Sequence, residues 1–134
     1  MALSKDVVDR QISNVGPFHK WFVGKEIGYL PSILREGEEI AFLTSGYVDG
    51  NTVLAVATNF RLMVLDAGLV YGLRQQEFPY DKVNSVTGVR GIFFGKVKIS
   101  TAGVSGYDVI INWVRKRDIP KLVAAISRFT SKKD

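Results

Sequence analysis

The chain has no cysteine, one histidine and four prolines among its 134 residues. Without cysteine there is no disulfide, no thiolate zinc site and no cysteine nucleophile. The lone His19 has no Asp/Glu cluster at ligand spacing around it, so no metal site is expected. Apolar runs near the ~20 residues that span a bilayer are also missing. The opening MALSKDVVDRQ lacks the basic start and apolar core of a secretory leader. These absences set the expectation of a cytoplasmic chain, with a peripheral place at a membrane left open.

Catalytic signatures are equally sparse. The acidic pairs Glu38-Glu39 and Asp6/Asp9 come with no nucleophile or glycine-rich cradle, and no serine sits in a Gly-x-Ser-x-Gly turn. GIFFGK, residues 91–96, has the glycine and lysine of a phosphate loop but three bulky apolar residues between its glycines, with valine after the lysine. A phosphate-wrapping loop needs four residues there and Ser/Thr next. The expectation is no catalytic residue, no cofactor and no enzyme.

What is present supports one packed domain. Hydrophobic residues make up 46% of the chain, which is enough for a core without disulfides or metals. The net charge of +5 is local: residues 115–134 carry seven basic and two acidic side chains, while the other 114 residues are balanced at eleven of each. Such a segment can attract phosphate or anionic lipid, or simply form a solvated helix face.

Residues 1–30 have helical spacing. Leu3, Val7, Val8, Ile12 and Val15 share one side of a first helix with Ser4 as its cap. After Gly16-Pro17, a second helix places Phe18, Trp21, Phe22 and Ile27 on one face. From Glu39 the period changes to strands. EIAFLTSGYV ends at Asp49-Gly50, a tight-hairpin pair, and NTVLAVAT and FRLMVLDAG follow, too apolar to have a wet face. VYGLRQQEFPY, KVNSVTGVR, KVKISTA and YDVIINWV complete seven strands, with Val97 and Ile99 opposite Lys96 and Lys98. Last comes a helix begun at Asp118-Ile119-Pro120, whose stripe Ile119, Leu122, Val123, Ile126 and Phe129 should plug the open end of the sheet. Trp113 is read as a buried strand end beneath that helix.

KEIGYLPSILREGEEI (residues 25–40), ATNFRLMVLDAG (57–68) and GIFFGKVKIST (91–101), in that order, resemble the small single-domain bacterial pleckstrin-homology-like (PH-like) proteins. The resemblance implies a mainly β fold: a seven-stranded, partly open barrel or sandwich of two antiparallel sheets capped by a C-terminal amphipathic helix. The division expected is a helical extension over 1–30 and the PH-like domain over 31–134. Arg61, just past the Thr58-Asn59 turn, is read as structural, bracing a carboxylate or carbonyl at the barrel mouth. Eukaryotic PH domains that hold phosphoinositides do so with a basic loop between their first two strands. Here that loop is the acidic YVDGN, so such a ligand is not expected.

The resemblance further implies a binding or adaptor role by protein–protein contact, often with self-association into homo-oligomers. Candidate interface residues are Ile92, Phe93 and Phe94 at a hairpin tip, and Phe18, Trp21 and Phe22 on the second helix. The alternative is a peripheral membrane module using that tip and the basic C-terminal helix. Its candidate anionic-ligand or lipid-surface residues are Arg90, Lys96, Lys98, Arg115, Lys116, Arg117 and Lys121. Nucleic acid is not expected, because the basic residues lack interleaved stacking aromatics.

Overall fold

The computed structural model describes residues 3–15, 24–68, 72–101 and 108–130. The elements in order are α1 (Lys5–Val15), α2 (Gly24–Ile33), β1 (Ile40–Val48), β2 (Asn51–Thr58), β3 (Arg61–Gly68) and β4 (Gly72–Pro79). A 3-10 turn at Tyr80–Lys82 leads into β5 (Val83–Arg90), β6 (Phe94–Thr101), β7 (Asp108–Arg115) and α3 (Asp118–Thr130). The seven strands form one open antiparallel sheet in the order β4-β3-β2-β1-β7-β6-β5. It is mainly β with helices, as the sequence implies.

The sheet is pinched where β1 meets β7, with Tyr47 opposite Asn112 as the registered pair. Gly46 permits the approach. A Cβ there would lie 2.5 Å from the Ile111 Cγ2 and 2.8 Å from the Asn112 carbonyl oxygen, so any side chain would force the strands apart. The pinch leaves two halves, β1–β4 and β5–β7.

Why β2 and β3 are apolar throughout is now plain. Alternate residues point to opposite faces of a strand, and here each face has its own cover. Val53, Ala55, Ala57, Leu62 and Val64 enter an inner core with Val97, Ile99, Ile111 and the α3 residues Ile119, Leu122 and Ile126. Leu54, Val56, Met63 and Leu65 enter an outer cluster with Val8 and Ile12 of α1 and Ile27, Leu30 and Leu34 in and after α2. A register shift between Ile40 and Phe42 flips the parity of β1, sending Ile40 outward and Phe42 inward.

Local signals set the helix ends. The Ser4 Oγ accepts the Val7 amide at 3.3 Å, capping α1. Helix α2 carries on through Pro31 to Ile33. A proline in the last turn gives up one amide bond there, and the buried Leu30 and Leu34 hold the turn against the sheet. Phe18, Trp21 and Phe22 lie outside the described residues, as does His19. Asp118 is the first residue of α3, but its carboxylate turns to the sheet, accepting the Thr44 hydroxyl at 2.7 Å and the Arg115 Nε at 3.2 Å.

Arg61 is the polar centre of the first half. Its side chain is 6% exposed, and its Nε and Nη2 each bond a Glu38 carboxylate oxygen at 3.0 Å. Its Nη1 meets Glu77 of β4, and Nη2 also donates to the Ile33 carbonyl at 3.0 Å. Glu38, fully buried, accepts the Thr58 hydroxyl at 2.6 Å and the Arg35 amide at 3.0 Å. Burial pushes the Glu38 pKa up, but the bonds from Arg61, Thr58 and Arg35 outweigh it and hold it below the ordinary value. Burial likewise works against charge on Arg61, and its two carboxylates overcome it. Tyr80, raised by burial and by the Glu38 charge, donates its hydroxyl to the Thr58 and Arg61 carbonyls. The guanidinium thus ties α2, the β1 approach, β3 and β4 together.

Candidate functional site

The two hairpin turns flanking the pinch are built from opposite materials. Between β1 and β2, Asp49 and Gly50 take φ of 50° and 83°, the left-handed pair that a two-residue hairpin turn requires. Between β5 and β6, the Gly91 amide donates to the Phe94 carbonyl at 2.9 Å and leaves Ile92 and Phe93 at the apex. Turn apices favour Gly, Asn, Asp and Ser because these residues satisfy or relax the backbone. Ile92 and Phe93 do neither, and they are 80% and 77% exposed. The glycines behind them make the turn tight: a Cβ on Gly91 would lie 2.4 Å from the Phe94 oxygen, and one on Gly95 2.0 Å from the Val89 oxygen. The Lys116 amide bonds the Phe93 carbonyl at 3.0 Å, fastening the tip to the turn between β7 and α3.

Trp113 overturns the expectation of a buried strand end. It is 60% exposed, with a φ of 58°. In β7, Val109 and Ile111 point inward, so strict alternation would bury residue 113 as well. A register shift between Gly95 and Val97 of β6 pairs Gly95 with Val114 and Val97 with Ile111, setting Asn112 and Trp113 against Lys96 alone, one extra residue on β7. The bulge turns Trp113 out and Val114 in. Left-handed backbone costs a bulky L-residue about 1–2 kcal/mol.

Turned outward, the indole joins an aromatic row. Its ring centre lies 5.5 Å from that of Phe94, tilted, and 6.5 Å from that of Tyr47, edge to face. Exposed Val89 lies beside it on β5. Two open grooves flank the tip. One, of about 430 Å³, runs between Val89, Phe93, Lys96 and Trp113. The other, of about 450 Å³, runs between Ile92, Phe93, Arg115, Lys116, Arg117 and Pro120.

Of the cations named from sequence, Arg90, Lys96, Arg115, Lys116 and Arg117 line these grooves. Arg115 is partly covered and bonded to Asp118. Lys98 is exposed on the solvent face of β6, and Lys121 is exposed one turn along α3. Over residues 83–130 the sequence has eight basic and two acidic side chains, and one of the acids, Asp118, is buried. The end is therefore apolar at its apex and positive around it. Sequence reasoning reached the tip and its cations but missed Tyr47 and the outward turn of Trp113. Among the described residues, no group of three or more His, Asp or Glu side chains could hold a metal ion.

A family model for the bacterial PH domain matches residues 34–128, from the end of α2 nearly to the end of α3. The chain belongs to the bacterial PH domain family. Solved structures agree on the fold of this PH domain. A pleckstrin homology domain from Shewanella amazonensis SB2B superposes with a TM-score of 0.56 at 23% identity, covering 81% of this chain and 98% of that one. A DUF1696 family protein with a pleckstrin-homology domain from Shewanella loihica PV-4 gives 0.57 at 18% identity, covering 81% and 92%. No curated protein matches the chain.

Proposed function

We propose that this PH domain is a non-enzymatic adaptor that works by surface contact, and that its working surface is the β5–β6 tip with the Trp113 flank. One observation carries the reading: two large apolar side chains, 80% and 77% exposed, occupy a turn apex where polar residues are the rule. The strained backbone that turns Trp113 onto the same surface supports it, since strain of this kind persists where it serves a site. The test is a photo-crosslinking residue at position 92 in living cells, with one at exposed Asp81 as control. The expected outcome is an adduct, protein or lipid, from position 92 and none from 81. Equal yields from both positions refute the reading.

Self-association is a second reading, favoured by β5. It ends the strand order and has Arg90 as its one charged side chain, whereas the other edge, β4, carries Arg74 and Glu77 and ends in Pro79. Edges lacking charge and proline pair readily with another copy. Light scattering reads this directly, and a monomer at high concentration removes it.

A further inference from the structure

We infer that the partner of this surface is the anionic face of a phospholipid bilayer, with Ile92 and Phe93 entering the acyl boundary and the surrounding cations meeting lipid phosphates. This rests on the contact-surface reading above and names its partner.

Shape comes first. Ile92 and Phe93 stand at the apex of a two-residue turn, with an open groove on either side. Projecting apolar apices of this kind offer little area to a flat protein face, and a fluid interface closes around them. Behind the apex, Phe94, Trp113 and Tyr47 form a row with Trp at its centre, and Trp and Tyr are the residues enriched at the headgroup level of membranes. Their polar atoms suit that depth, and their rings suit the apolar side of it.

Charge disfavours a tip-to-tip contact between two copies. Arg90, Lys96, Lys116 and Arg117 are exposed around the tip, so two copies meeting tip to tip in a two-fold contact would set positive against positive. An anionic bilayer meets the same cations favourably, over a range of about a Debye length. The geometry is consistent: Arg90, Lys96, Lys116 and Arg117 line the grooves on either side of the apex. Asp49, exposed in the β1–β2 turn, lines neither groove.

The experiment is flotation of the full chain with phosphatidylcholine vesicles and with mixed phosphatidylcholine–phosphatidylglycerol vesicles, at low and high salt. Binding is expected on the mixed vesicles only and should weaken with salt. Ile92→Asp combined with Phe93→Asp should weaken it by at least about tenfold, the loss of two inserted apolar side chains. Lys96→Glu combined with Arg117→Glu should weaken it comparably, with the loss confined to low salt. Brominated acyl chains should quench tryptophan emission in a Trp21→Phe background, where Trp113 is the remaining indole. Absence of wild-type binding to the mixed vesicles overturns the inference, as does binding that the apex variant leaves unchanged. If vesicles fail while position 92 still gives a protein adduct in cells, the lipid inference falls and the contact surface stands. If both fail, both fall.

Discussion

Removing the Arg61 guanidinium should be among the most damaging single changes in this PH domain. In Arg61→Ala, Glu38 keeps its Thr58 and Arg35 bonds but loses both contacts at 3.0 Å with the guanidinium, in a site where its side chain is fully buried. Stranding one member of a buried ion pair costs about 3–5 kcal/mol. For a domain of this length, 1 kcal/mol moves the melting temperature by about 3 °C, so the loss should be about 10–15 °C. Urea titration at neutral pH measures it, and Arg61→Met with Glu38→Gln is the control. That double variant removes both charges and should recover much of the deficit, because an apolar or neutral replacement avoids the desolvation that the pair incurs. The pH dependence fixes the sign. The folded Glu38 pKa lies below its ordinary 4.5, so its contribution is complete above that value and is lost as pH falls through the lowered one. The wild-type advantage over Glu38→Gln should therefore shrink below pH 4.5. The Arg61→Ala deficit should shrink there too, because a protonated Glu38 no longer needs its partner. A deficit under about 1 kcal/mol, or a double variant as unstable as the single one, refutes the reasoning.

Position 113 should invert the usual strand preferences. At a φ of 58°, Trp113→Gly should be more stable than Trp113→Ala, and Ala more stable than Trp113→Val, by about 1 kcal/mol at each step in urea titration; the ordinary strand order with valine on top would contradict the bulge. Gly46→Ala places a methyl group 2.8 Å from the Asn112 carbonyl oxygen, which is backbone and cannot swing aside. It should destabilise by about 1–3 kcal/mol and loosen amide exchange along the β1–β7 seam; unchanged exchange there would argue against the pinch.

Signals that act within a few residues were legible in the sequence. Asp49-Gly50 announced its turn, Ser4 its cap, and the stripe from Ile119 to Phe129 its burial under the sheet. The uninterrupted apolar runs of β2 and β3 implied two covers, because a strand with a wet face would have alternated. The place of Arg61 after a turn suggested that it braces a carboxylate or carbonyl, but no local signal names Glu38, which lies 23 residues away and reaches it through tertiary packing. Bulges were the other blind spot. In VIINWV nothing marks which residue of β7 is extra, and one extra residue reverses every side chain after it. Strict alternation along β7 would point Trp113 inward, and the bulge points it out. The tip was visible because Ile92-Phe93 contradicts turn chemistry outright, whereas Tyr47 joins the site across the pinch and has no local mark.

The two halves of the sheet divide the work, and this division is itself an argument for the site. In the first half, α1 and α2 cover the outer face of β2 and β3, and the inner face meets the core under α3. Among the described residues of that half, the exposed large apolar side chains are Tyr29, Tyr47 and Phe60. In the second half, Val97, Ile99, Val109 and Ile111 face the core, while Lys96, Lys98, Ile110 and Trp113 are turned to solvent. One covered face is enough to hold β5–β7 in place against α3, and the uncovered face is free to carry exposed aromatics and unbalanced positive charge. Exposed aromatics and unbalanced charge are the features a contact surface uses. The same segment also holds the strained residue and the apolar turn, so the departures from ordinary folding rules gather on one surface, the one proposed above for contact.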